Sequence, residues 1–361
     1  MNSFSNIIID KKAIRANIRV TTNLMGNSFQ PIAVIKANAY SHGAINAMKI
    51  LSTCGVKIFA VACCKEAQEL LTERFENEIL LLSFPSDIEF CIKNKIFFTV
   101  SSLAELNETI LVAKQLKAKA FIDLKINSGM NRYGFKKTLE FCEAIQKILK
   151  TDKIVLHGVY THFCSVRSSK IVAEKQAKKF QNFLCLIPSK LNPIVHIGGH
   201  EILDVIDKKF YKIYLDGITH IRVGLMLYGY GRKGLKKVLK IESKVVMLQK
   251  CEPNEVVGYG GKNKLKEKTM VAVVPFGYAD GMPRTLGNGN GNVVICKKKC
   301  PIIGNICMDS FMVDVTSLPQ IKVNEKVTIF TNATDWAKKL NTIEYEVLTN
   351  FNHYRNNYIY K

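Results

Sequence analysis

Lys36 is the residue of this chain whose setting most directly implies chemistry. It follows an apolar run of buried character, Pro31–Ile35, and leads into Ala37-Asn38-Ala39-Tyr40-Ser41-His42-Gly43, so a strand delivers an amine to its carboxyl end. An amine drawn out of water has its charged form disfavoured, its pKa falls, and a neutral nucleophile able to form a Schiff base becomes available. Taken alone, a lysine at a strand end keeps its ammonium in solvent. The rest of the chain decides between the two.

Seven further motifs carry side chains able to do chemistry: Leu124-Lys125-Ile126-Asn127-Ser128-Gly129-Met130-Asn131-Arg132, Gly158-Val159-Tyr160-Thr161-His162-Phe163, Arg222-Val223-Gly224-Leu225, Val257-Gly258-Tyr259-Gly260, Pro275-Phe276-Gly277-Tyr278-Ala279-Asp280-Gly281, Gly304-Asn305-Ile306-Cys307-Met308-Asp309 and Thr342-Ile343-Glu344-Tyr345-Glu346. With the Lys36 segment they resemble the alanine racemases, a pyridoxal-phosphate-dependent family of fold type III. The resemblance spans nearly the whole chain. One short motif has a real false-positive rate, but eight in the family's order are hard to produce by chance.

The resemblance implies a role for each matching residue. Lys36 holds pyridoxal 5'-phosphate as an internal aldimine and serves as the base for the D-face of the substrate. Tyr259 matches the base for the L-face; a phenol titrates near pH ~10, so it needs a neighbour that helps it ionise, and His162 matches the histidine against that tyrosine. Arg222 matches an arginine that donates to the pyridine nitrogen. A guanidinium that never deprotonates cannot let that nitrogen become a cation, which favours racemisation over transamination or decarboxylation. The Gly224 and Leu225 amides are candidates for the phosphate, as are Tyr40 and Tyr345, the latter with the weaker case because a strand tyrosine is common core material. Lys125 matches a lysine that is carbamylated in many members and then orients Arg132, which binds the cofactor phenolate and the substrate carboxylate; a carbamate and a guanidinium pair where two bare cations repel. The Met308 backbone amide matches a receiver of the substrate carboxylate. No metal is implied.

The departures carry equal weight. Gly199-His200 stands where Asn-Ser is usual, so the phosphate loses a hydroxyl that His200 or the Gly198 and Gly199 amides could replace. Ser41 replaces a glycine, Asn127 an aspartate, and Asn305 an arginine that often guards the mouth of the site. The end, Arg355-Asn356-Asn357-Tyr358-Ile359-Tyr360, lacks the usual Arg-Val-Pro-Arg. These changes leave both bases intact and bear on cofactor affinity, the gate and substrate preference.

The elements that must position these residues are legible as two regimes. Eight short β-rich runs, Pro31–Ile35, Lys57–Val61, Glu78–Ser83, Ile96–Val100, Lys119–Ile126, Ile154–Tyr160, Ile194–Ile197 and Thr219–Val223, alternate with helical patterns such as Ser102–Leu116, Lys136–Leu149 and Ile171–Leu186. This predicts an α/β fold with a (β/α)8 TIM-type barrel over residues 10–231, and places Lys36, Lys125, His162, His196 and Arg222 in or just after the carboxyl ends of its strands, the face that carries barrel chemistry. From about Gly231 the pattern turns to short strands at Lys240–Val246, Val271–Val274, Val293–Cys296, Phe311–Val315 and Lys326–Phe330, with one helix at Thr334–Leu340: a smaller, mainly β domain over residues 232–361, which residues 1–9 join in the resembling family.

At 361 residues and 47% hydrophobic content the chain can bury two cores. No apolar run spans a bilayer, and the start lacks the order of a secretory signal, so a cytoplasmic protein without a membrane partner is expected. The eleven cysteines are odd in number and scattered, which reads as reduced thiols. A net charge of +22 raises nucleic-acid binding, but the lysines fall in short runs such as Lys233, Lys236, Lys237 and Lys297–Lys299 between apolar segments, as on a solvated surface. The expectation is a racemase interconverting L- and D-alanine by a two-base mechanism and supplying D-alanine for peptidoglycan, as a homodimer with shared active sites. The alternative is a related racemase of another small amino acid such as serine.

Overall fold

The computed structural model of the chain describes residues 5–73, 76–164, 169–198, 201–205, 216–261 and 263–361. After β1 (Asn6–Ile9), eight strands come in turn: β2 (Gln30–Val34), β3 (Ile58–Val61), β4 (Glu78–Leu81), β5 (Phe97–Val100), β6 (Ala120–Lys125), β7 (Ile154–His162), β8 (Ile194–Gly198) and β9 (His220–Val223). They pair in parallel in that order, and β9 pairs back onto β2, closing the barrel. These strands read as near-continuous apolar runs because parallel strands covered by helices are buried on both faces; all four residues of β3 are buried. Three of the helices between them start at side-chain caps. Asp87 accepts from Phe90 N at 2.8 Å, Ser102 Oγ from Glu105 N at 3.2 Å and Ser169 Oγ from Val172 N at 3.3 Å, each satisfying an orphan amide of a helix start.

One irregularity matters to the site. Between β6 and β7 the register slips so that Ile122 faces Leu156 while Asp123 faces Gly158, leaving His157 as the extra residue of a β-bulge. The bulge residue His157 bonds the Asp123 carboxylate, which His196 of β8 also bonds.

The remaining strands are β10 (Leu239–Lys244), β11 (Met247–Cys251), β12 (Thr269–Val274), β13 (Asn292–Ile295), β14 (Lys298–Ile303), β15 (Phe311–Asp314), β16 (Lys326–Phe330) and β17 (Asn357–Tyr360). With β1 they form a nine-stranded sheet in the order β11-β12-β15-β14-β13-β16-β10-β1-β17. The architecture is the expected barrel plus mainly β second part, with corrections to the detail. The strands β11, β14 and β17 lie outside the expected set, and a second helix, Glu344–Thr349, comes after Ala333–Leu340. Tyr345 therefore sits in a helix, not a strand. The Lys297–Lys299 run lies at a hairpin: Cys296 and Lys297 both take positive φ, 48° and 64°, the two-residue turn that matches the strand twist, and β14 opens with exposed Lys298 and Lys299 before buried Cys300 and Ile302 alternate with half-buried Pro301 and Ile303.

Two compact units divide the described chain: one holds Ile14–Ala39 and Ala44–Leu235, the other Met1–Ala13, Tyr40–Gly43 and Lys236–Lys361. No helix among the described residues is long and apolar enough to cross a membrane.

Candidate active site

Lys36 stands two residues beyond β2, half-buried, at the head of an unusual turn. Ala37, Asn38, Ala39, Tyr40 and Ser41 all take left-handed φ of 51° to 61° without a glycine among them. Each such residue costs about 1–2 kcal/mol, so the turn must be held from outside. In the barrel unit Ala37 N donates to Glu66 Oε1 at 2.7 Å, Ala39 N to Ile35 O at 2.8 Å and Ala44 N to Asn38 Oδ1 at 2.8 Å. In the β unit the Tyr358 hydroxyl donates to Ser41 O at 3.0 Å and the Tyr360 hydroxyl to His42 O at 3.3 Å. Gly43 takes a left-handed φ of 86° that favours glycine, and a Cβ there would sit 1.8 Å from the Tyr360 hydroxyl.

The Lys36 ammonium is disfavoured, first by burial and then by the charge of Arg132, with Glu66 opposing and Arg222 adding to the effect. Neighbouring cations act on one another in the same sense. Lys125, the last residue of β6 and only 5% exposed, is lowered to about 8 by burial and by Arg132, Arg222 and Lys36. Its Nζ lies 5.1 Å from the centre of the Tyr133 ring and 5.5 Å from that of Tyr160. Arg132, exposed, has its guanidinium carbon 5.9 Å from the Tyr133 ring centre. Asn127 folds the connecting loop, its Oδ1 accepting from Gly129 N and Asn131 N at 3.2 and 3.0 Å. A site so loaded with positive charge suits anionic groups on whatever it binds.

Beneath these cations runs a buried polar string. Asp123, fully buried on β6, accepts from His157 Nδ1 at 2.7 Å and from His196 Nε2 at 2.8 Å. His157 Nε2 lies 3.4 Å from Glu78 Oε2. His196 Nδ1 in turn takes a hydrogen bond from Arg222 Nη1 at 2.6 Å, and Arg222 Nη2 donates to Thr161 O at 2.7 Å with His162 Nδ1 at 3.4 Å. The Tyr160 ring stacks on His196 with centroids 4.5 Å apart and lies 4.6 Å from the Arg222 guanidinium carbon, while its hydroxyl meets Thr99 Oγ1 at 2.7 Å. The bonds fix protons. A guanidinium only donates, so His196 Nδ1 accepts and its Nε2–H points at Asp123. Burial opposes a charge on His157, yet the bonds to Asp123 and Glu78 outweigh it and raise the imidazole to about 9. His196 and His162 are held neutral, each at about 3, above all by burial. Arg222 falls to about 10 through burial and stays a cation at neutral pH.

Two glycines make this approach feasible. A Cβ on Gly198 would lie 2.2 Å from His162 Nδ1 and 2.3 Å from Arg222 Nη2, and one on Gly158 would lie 2.7 Å from the Asp123 carboxyl. Gly224 and Leu225 come directly after β9, Leu225 opening a short 3₁₀ turn to Tyr228. Gly199 and His200 lie outside the described residues.

The β unit holds the other candidates. Tyr259 is 72% exposed and Met308 52% exposed, and with Gly258, Cys307, Asp309, Ser310 and Met312 they line a cleft of about 460 Å³. Asn305 fixes the tyrosine's backbone: its Nδ2 donates to Tyr259 O at 2.7 Å while its Oδ1 accepts from Asn288 at 3.0 Å. Gly277 lets the chain pass Met308, whose carbonyl oxygen a Cβ would meet at 2.0 Å. Tyr40 and Tyr345 face each other with ring centroids 5.8 Å apart.

The structure thus gathers Lys36, Lys125, Arg132, His162 and Arg222 in the barrel unit, Tyr259 with Met308 in one cleft of the β unit, and Tyr40 with Tyr345 as a ring pair. Sequence reasoning missed Glu66, Asp123 and His157. Asp123 and Lys125, two polar residues spaced by two in an otherwise apolar strand, are the signal that could have found Asp123; His157 falls at the bulge and Glu66 in a helix, where that spacing marks neither.

Comparison with known proteins agrees in extent. Residues 9–232 match the family model described as alanine racemase, N-terminal domain, and residues 238–360 the alanine racemase, C-terminal domain. The alanine racemase of Methylacidiphilum infernorum is 30% identical over 368 residues, covering 97% of this chain and 91% of that protein. The solved alanine racemase of Clostridium difficile 630 superposes with a TM-score of 0.89 at 31% identity, covering 100% of this chain and 97% of that one. That of Bartonella henselae, solved with covalently bound pyridoxal phosphate, gives 0.87 at 27% identity and 100% coverage of both.

Proposed function

The chain belongs to the alanine racemase family, and from that premise we propose that it interconverts L-alanine and D-alanine with pyridoxal 5'-phosphate held on Lys36. The observation that carries the reading is the cationic lining formed by Lys36, Lys125, Arg132 and Arg222, whose charges oppose one another. The cofactor's phosphate and phenolate and the substrate's carboxylate bring the negative charge that such a lining lacks. When bound, pyridoxal phosphate supplies an electron sink for the charge left on a carbon that loses its proton.

The chain's own residues do the rest. Lys36, with its ammonium disfavoured, offers a neutral amine that bonds the cofactor and then takes or returns a proton on the D-face of the α-carbon. Arg222, aimed by His196 and Thr161 O, would hold the pyridine nitrogen of the bound cofactor, and a guanidinium there would disfavour a cation on that nitrogen. Tyr259 handles the proton on the L-face. His162 supports it: Nδ1 faces an Arg222 donor, the imidazole is neutral, and the remaining proton on Nε2 can be donated to a phenolate. Tyr40, Tyr345, the Gly224 and Leu225 amides and His200 take the phosphate, and the Met308 amide with Arg132 takes the substrate carboxylate.

Lys125, at about 8, is neutral often enough near pH 7 to 8 to add carbon dioxide and release a proton. The resulting carbamate would replace a repulsion with a bidentate partner for Arg132. The exposure of Tyr259 and Met308 supports a homodimer in which one copy's tyrosine serves the other's lysine. In the cell the product would be D-alanine for peptidoglycan, made in the cytoplasm.

Reduction of the holoprotein with borohydride, followed by peptide mapping, tests the assignment: the cofactor is expected on the Lys36 peptide, and an adduct on any other lysine refutes it. A panel of L-amino acids ranks alanine against serine, the alternative substrate.

A further inference from the structure

Glu66 reaches out of its own helix in a way that helix capping does not require. It is the third residue of the helix Cys64–Leu71, where an acidic side chain commonly folds back onto the amides just before the helix. Its Oε2 does this, accepting from Ala62 N at 2.7 Å, but its Oε1 accepts from Ala37 N, 29 residues earlier, also at 2.7 Å. Ala37 is the residue after Lys36, and Ala62 is the residue after β3, the strand paired with β2. One carboxylate therefore joins the carboxyl ends of two neighbouring barrel strands, through two short bonds of the charge-assisted kind.

The place it grips is the one that needs holding. The left-handed turn begins at Ala37, and a first amide left to swing would let the backbone relax toward ordinary φ and carry the Lys36 side chain with it. We infer that Glu66 is a positioning residue for Lys36, holding the start of the strained turn and keeping a negative charge beside the lysine. The groups that bear on Lys36 are Arg132, Arg222, Lys125 and His162, cations or neutral, and Glu66, the carboxylate whose charge favours the protonated amine. The inference rests on the reading that Lys36 carries the cofactor.

Glu66→Gln in the holoprotein is the test, since glutamine keeps the shape and one acceptor but removes the charge and offers an N–H where Ala62 N needs an acceptor. Two quantities are read: the pH titration of the cofactor's visible absorption, with borohydride mapping of the adduct, and amide exchange at Ala37. The adduct is expected to stay on Lys36, with the titration midpoint lower by on the order of one pH unit, faster exchange at Ala37, and a fall in kcat larger than the change in KM. An adduct on Lys36 with both midpoint and exchange unchanged overturns the inference and leaves Glu66 a helix cap. An adduct on another lysine instead removes the premise about Lys36. If the variant does not fold, exchange in the unsubstituted protein decides: protection of Ala37 comparable to Ala62 supports the grip, and unprotected exchange at Ala37 refutes it.

Discussion

At the scale of single residues, the polar string from half-exposed Glu78 through half-buried His157 and buried Asp123 and His196 to Arg222 runs through the barrel interior, and it has a measurable pH signature. His157 binds its proton more tightly folded than unfolded, at about 9 against 6.5. Its pairing therefore stabilises fully below about pH 6.5 and is lost as the pH rises through about 9. Asp123, held well below the usual carboxylate range because the bonds from His157 and His196 outweigh its burial, keeps the pair intact far into acid. The urea midpoint should fall between pH 6.5 and 9, and His157→Gln should flatten that slope; an unchanged slope in the variant would dissociate His157 from the string. Lys36, Arg222 and Lys125 were legible in the sequence because each sits in a motif. His157 was not, because a bulge, which spacing alone does not announce, brings it to Asp123.

At the scale of elements, the barrel strands were readable and parts of the sheet were not, for a physical reason. Strands buried on both faces show as unbroken apolar runs, whereas Met247–Cys251 and Asn357–Tyr360 hold no fully buried residue and blend into loop composition. The helix Glu344–Thr349 is too short to display a period. The left-handed turn after Lys36 was illegible because alanine, tyrosine and serine, four of its five residues, have no preference for positive φ; beside its local bonds, it is held by Glu66, Tyr358 and Tyr360 from far away in sequence. Here the altered C-terminus gains a role. Tyr358→Phe removes the donor to Ser41 O and should cost about 1 kcal/mol in thermal unfolding, together with weaker retention of pyridoxal phosphate on dialysis. Stability and retention both equal to the parent protein would show that Tyr358 does not hold the turn.

At the scale of the whole molecule, the candidate site residues fall in two units: Lys36 and the neighbouring cations belong to the barrel unit, and the exposed Tyr259 and Met308 to the β unit. If the two bases meet across a homodimer, Lys36→Ala and Tyr259→Phe should each be nearly inactive, while mixed dimers regain activity, because one of their two sites collects both defects and the other neither. No recovery after subunit exchange would argue that both bases come from one chain or that Tyr259 is not a base. The central claim is simpler still and is tested by optical rotation. The two enantiomers of alanine have equal free energy, so with pyridoxal phosphate the protein should carry solutions of pure L-alanine and of pure D-alanine to the same zero rotation with total alanine unchanged. Rotation that persists from either side, or that decays only as alanine is consumed, would contradict it.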